Sequence, residues 1–81
     1  MIKLAYLAHS DRISVLRLTE SIIISASYGK TIKLWDRNTK KQLGLFVCDA
    51  PVEVLQVNPN DPSQIVCGDA LGKIYFLSWR G

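Results

Sequence analysis

Residues 25–36 read SASYGKTIKLWD. Three pieces are legible in this stretch. Ser25–Ser27 looks like the end of a strand, Tyr28–Lys30 is a tight turn, and Thr31–Trp35 is a second strand closing on a Trp-Asp pair. Gly29 suits a turn residue with positive φ. The rest of the chain repeats this grammar.

Apolar residues come in bursts of five to eight bounded by turn formers, and no long 3.6-residue periodicity is present. The bursts are Ile2–Ala8, Ile13–Leu18, Ser21–Ser27, Thr31–Trp35, Gln42–Cys48, Val52–Val57, Gln64–Gly68 and Lys73–Ser78. Most of the links between them carry Gly, Pro, Asn, Asp or Ser, which tolerate turn dihedrals or bond their own backbone. Eight short strands with short links imply an all-β, antiparallel fold. Within it, Ile22-Ile23-Ile24 shows no in-out alternation and is expected to be covered on both faces.

Sliding the chain against itself exposes a repeat. Ile13–Leu18 aligns with Val52–Val57 at an offset of 39, whereas Ser25–Ser27 aligns with Cys67–Asp69, and Ile32–Leu34 with Ile74–Phe76, at 42. The difference falls where Asn58–Pro62 replaces the short Thr19-Glu20 link. A period near 40 with four strands per unit is the signature of a propeller blade.

SASYGKTIKLWD, with His9 four positions before Ile13, resembles the WD-repeat β-propeller family over essentially the whole chain, as two repeats. The first repeat matches closely at Thr31–Asp36. The second is degenerate, with Cys48, Leu77 and Ser78 standing where His9, Trp35 and Asp36 stand. Its closing segment, Cys67–Leu77, looks like the final repeat of prokaryotic signalling-associated WD-repeat regions. The resemblance implies a structural hydrogen-bond chain of His9, Ser25, an acid at position 29, and Trp35. The indole fills the space between blades and needs an acceptor for its N–H, which Ser25 can supply. Gly29 replaces the acid, so His9 is expected to lack its orienting carboxylate, loosening the first blade by about 1 kcal/mol if a buried hydrogen bond is lost.

The expected organisation is an outer closing strand at 1–8, a first blade at 9–48, and a second blade at 49–81 that lacks its outer strand. Two blades alone leave apolar faces in water, and repeats of this kind need stacking partners. With 48% hydrophobic residues, the 81-residue chain holds more apolar material than one half-exposed sheet covers. The expectation is a homo-oligomer in which Ile2–Ala8 of one subunit completes the last blade of the next, head to tail, until a ring closes. Four copies give eight blades and three give six, with four favoured. The same strand order fits the last two blades of a longer propeller.

Two other groups of residues bear on function. Asp11, Arg12, Tyr28 and Lys30, with Ala70 and Leu71, should share the face of the leading loops and second-to-third-strand turns, where propellers of this family dock peptides and proteins; an exposed Tyr is a usual anchor. Arg37, Lys40 and Lys41 form a basic turn on the opposite face. Repeated around a ring it would make a cationic crown, and it underlies the alternative reading of a small basic nucleic-acid binder. The net charge of +3 permits nucleic acid or an acidic partner without arguing for either.

Cys48 and Cys67, with one histidine in the chain, are too few for a zinc site and read as buried free thiols of a reducing compartment. No cofactor or metal is expected. No loop-borne carboxylate pair or nucleophile motif is identifiable, so the expectation is a non-enzymatic interaction scaffold. A secretory leader pattern and an apolar run of about 18 residues are both missing, giving an expectation of a cytoplasmic protein.

Overall fold

The computed structural model describes residues 5 and 7–79. Among them are seven strands: β1 (Ile13–Leu18), β2 (Ile22–Ser27), β3 (Thr31–Asp36), β4 (Gln42–Val47), β5 (Val52–Val57), β6 (Gln64–Asp69) and β7 (Ile74–Ser78). They form two antiparallel sheets in sequential order, β1-β2-β3-β4 and β5-β6-β7. The expected strand Ile2–Ala8 falls mostly outside the described residues; Ala5, Leu7 and Ala8 carry no strand.

The strands β1–β3 and β5–β7 are copies in detail. β1 bulges between Ile13 and Val15, and β5 bulges at the corresponding place, between Val52 and Val54. A bulge re-aims the residues beyond it, so both strands present their apolar residues with the same phase. The hydrogen bond from Tyr28 N to the Arg12 carbonyl has its counterpart from Ala70 N to that of Pro51.

Register assigns each side chain to a face. On sheet 1, Val15, Ile24, Ala26, Ile32 and Leu34 lie together, all buried, and face sheet 2 through the contact of β1 and β2 with β5. Sheet 2 answers with Val52, Leu55, Ile65 and Cys67, and the two sets make one core. At about 25 cal/mol per Å² of apolar surface removed from water, this stack supplies most of the driving force.

Ile22 and Ile24 are fully buried, but Ile23 points to the opposite face of sheet 1 and is half-buried. The isoleucine run is therefore covered on one face and only partly on the other. That outer face also carries Ile13, Leu16, Leu18, Leu45 and Val47, all exposed. Sheet 2 likewise turns Val54, Val66, Ile74 and Phe76 outward.

The Trp-Asp pair has its own logic. Asp36 Oδ1 accepts N–H bonds from Thr39 at 2.9 Å and Asn38 at 2.8 Å, closing the turn into β4 as an Asx turn. Those bonds, Thr39's first, hold its carboxyl below the usual range. The left-handed residue of the β2–β3 turn is Lys30, at φ 73, and not Gly29; its counterpart in sheet 2 is Gly72, at φ 84. The need for a positive φ thus falls one residue later than the glycine suggests. A Cβ at Gly29 would sit 3.4 Å from Asp11 Cβ and Ser27 Oγ.

Candidate functional site

A polar relay lies on the outer face of sheet 1, where the loop before β1 folds over β2 and β3. Ser25 Oγ lies 2.8 Å from His9 Nε2 and accepts the Trp35 indole N–H at 3.0 Å. The other ring nitrogen of His9, Nδ1, is 3.1 Å from Thr31 Oγ1. His9 is thus oriented by the Thr31 hydroxyl in the place where the resemblance calls for an acid at position 29, and the relay continues with a neutral partner. Sequence reasoning missed Thr31. It lies two residues beyond Gly29 on the strand that carries Trp35, so a donor-acceptor side chain at the start of β3 was the available signal.

Both tautomers of a neutral imidazole satisfy this chain, since each hydroxyl can donate as well as accept. Burial pushes the His9 pKa down, and the Lys33 ammonium lowers it further. Lys33 in turn donates to the Ala8 carbonyl at 2.6 Å, tying the leading loop to β3. An imidazole held neutral between two hydroxyls, with no carboxylate, orients side chains; it is not arranged as an acid-base pair.

The second blade replaces this relay. Cys48 and Cys67 stand where His9 and Ser25 stand; both thiols are free, buried and close enough to interact. Burial raises both, Cys67 to about 11, which leaves them un-ionised and unreactive at neutral pH. Polar anchoring has moved to the β6–β7 turn. Asp69 Oδ1 accepts from the N–H groups of Leu71 and Lys73, and its Oδ2 accepts the Tyr75 hydroxyl proton at 2.7 Å. Tyr75 Oη accepts from Asp49 N, and Lys73 pairs with Asp49. The Tyr75 bond holds the Asp69 carboxyl below its usual range, while burial chiefly pushes the phenol up to about 12.

On the face of the leading loops, Arg12 stacks over the Tyr28 ring at 5.8 Å, and Asp11 Oδ1 accepts from Arg12 N. Asp11 borders Gly29, next to Lys30. These four residues form one exposed cluster. Leu71, 77% exposed, sits on the matching turn of sheet 2, after Ala70.

The basic turn is largely engaged in its own architecture. Arg37 Nη1 donates to the Thr19 carbonyl at 2.7 Å, and Lys40 donates to the Arg37 carbonyl from a left-handed backbone at φ 66. Lys41 is exposed. Two of the three cations are therefore committed to carbonyl oxygens, which weakens the case for a phosphate-binding crown. Trp79 donates its indole N–H to the Pro62 carbonyl and its backbone N–H to that of Ser63, pinning the end of β7 to the β5–β6 link.

Among the described residues, no group of three or more His, Cys, Asp or Glu side chains is placed to hold a metal ion.

Comparison with known proteins places this geometry. A family model described as the TEP-1 C-terminal beta-propeller matches residues 9–79. Telomerase protein component 1 of Rattus norvegicus is 38% identical over 74 residues, and that of Mus musculus 37%; each match covers 89% of this chain. The chain spans about 3% of the length of these relatives. Among solved structures, the computationally designed Ika4 protein aligns with a TM-score of 0.80 at 25% identity, over 89% of this chain and 44% of that one. The designed Ika8 protein gives 0.79 at 25%, over 88% and 22%.

Proposed function

Because the chain belongs to the family of TEP-1 C-terminal beta-propellers, a WD-repeat architecture, we propose that it serves as a non-enzymatic protein-interaction scaffold, completed by self-association of two-blade chains. One observation carries this reading: β1–β3 and β5–β7 repeat one another, yet each sheet has one apolar face packed inside the chain and one that leaves large apolar side chains exposed. Leu16 is 59% exposed, whereas its counterpart Leu55, on the inner face of sheet 2, is 1%. Repeats of this kind are stable once neighbours cover such faces.

In this proposal β7, the open edge of a three-stranded sheet, accepts residues 2–8 of the next copy as its fourth strand. Heterologous contacts of that kind close into a ring when the rotation per copy allows; four copies are favoured over three. The surface offered to other proteins is the face bearing Asp11, Arg12, Tyr28, Lys30 and Leu71. The setting is cytoplasmic. A role in prokaryotic signalling belongs to the same proposal and is supported by the resemblance of the closing segment alone; the curated relatives above come from rat and mouse.

The test is partner capture from the source cell by the immobilised chain, with variants that leave the core intact. Tyr28→Ala and Leu71→Ser should each lose the captured protein while the native mass is unchanged. If neither changes capture, and Lys41→Ala or added salt abolishes it instead, the nucleic-acid alternative replaces the scaffold reading.

A further inference from the structure

The outer face of sheet 1 contains a hollow of about 200 Å³, lined by Ala8, Ile13, Leu16, Ile23, Ser25, Trp35 and Lys40. It is mostly apolar, open to solvent, and lined in part by the indole whose N–H the relay holds. Each of its central residues has a repeat counterpart on sheet 2: Val52 for Ile13, Leu55 for Leu16, Ile65 for Ile23, Cys67 for Ser25 and Leu77 for Trp35. The first four counterparts are at most 2% exposed. They are covered because sheet 1 lays its inner face on them, and Leu34, 1% exposed, belongs to that packed cluster.

The counterpart of Leu34 on sheet 2 is Phe76, which is 80% exposed on the bare outer face with Val54, Val66 and Ile74 around it. The chain therefore builds one complete contact internally and carries both halves of a second one, unused, on its two flanks. An apolar cavity of about 150 Å³ holds a benzene molecule, so the hollow on sheet 1 accepts a phenyl ring.

We propose that Phe76 of one copy of this chain inserts into the Leu16–Ile23–Trp35 hollow of a second copy, reproducing between chains the stack that sheets 1 and 2 make within one. This rests on the self-association reading and specifies its anchor. The relay from His9 through Ser25 to Trp35 then has a use: it fixes the indole that lines the socket. The contact is heterologous, knob to socket, so each chain offers one of each.

Both side chains are exposed, so substituting them leaves the internal core untouched. Sedimentation velocity across micromolar concentrations is measured for the wild type, for Phe76→Asp, for Leu16→Asp, and for a mixture of the two variants. Each variant alone should weaken association by roughly 100-fold or more, the scale of a buried aromatic anchor. The mixture retains one working socket and one working knob and should stop at a 1:1 heterodimer. A wild type that stays a single chain at every concentration overturns self-association and this contact with it. A wild type that assembles while Phe76→Asp assembles equally well, or a mixture that gives no heterodimer, overturns the Phe76 contact and leaves self-association standing.

Discussion

Ser25→Ala is the most informative single change in the first blade. Ser25 is 2% exposed, and its oxygen serves both His9 Nε2 at 2.8 Å and the Trp35 N–H at 3.0 Å. Removing it strands two groups in different surroundings. In the single chain the Trp35 N–H borders an open hollow, where water can replace the lost partner at small cost. His9 is 6% exposed, and a buried ring nitrogen left unpartnered costs about 1–3 kcal/mol. The expected loss is about 1–3 kcal/mol. At about 4–8 °C per kcal/mol for a domain of this size, that lowers the melting temperature by roughly 5–25 °C. Urea unfolding followed by tryptophan fluorescence, at one fixed chain concentration because association shifts apparent stability, measures it. Cys67→Ala is the control: the equivalent position carries no relay, and the loss of its sulfur should cost about 1 kcal/mol. If Ser25→Ala stays within about 0.5 kcal/mol of wild type, the relay does not hold the blade.

The pH dependence follows from the lowered His9 pKa, which lies below the ordinary 6.5 because burial disfavours the cation. Between the two values the unfolded chain binds more protons than the folded one, so stability rises with pH. It is fully present above about pH 7, declines as pH falls through 6.5, and levels off below the folded value. Asp36, Asp49 and Asp69, all lowered from 3.8, titrate in a separate, more acidic window. Urea midpoints from pH 7.5 to 5 should fall for the wild type and stay flat for His9→Gln; equal slopes contradict the assignment. Cys48 and Cys67, buried and raised, should resist iodoacetamide at pH 8 in the native protein and both react in urea. Rapid uptake of one label per native chain would place a thiol at the surface.

Strand positions were legible because the links announce themselves: Asn58–Ser63 and Arg37–Lys41 carry turn chemistry that strand interiors avoid. The repeat was legible for a related reason: strands with matching bulges and turn bonds carry like residue types, at an offset of 39 before the Asn58–Pro62 link and 42 after it. His9, Ser25 and Trp35 could be named from the resemblance to WD repeats, whereas Thr31 offered only a hydroxyl at the start of β3, and its bond to His9 depends on where the leading loop lands. Lys30 shows a sharper limit. A left-handed lysine beside a glycine is a local conflict, and the turn settles it by tertiary closure: the Lys30 carbonyl accepts Cys48 N at 2.7 Å. Arg37 and Lys40 read as free charge in the sequence, yet their nearest acceptors are carbonyls that only the folded turn brings together.

The proposed self-association supposes that the two matched apolar flanks of this 9.1 kDa chain are covered by another copy. Native mass spectrometry of the purified chain at micromolar concentration tests it most directly. The predicted spectrum shows whole-number multiples of the single chain, with the fourfold species leading. A spectrum of single chains alone, from protein that still unfolds cooperatively, would contradict it.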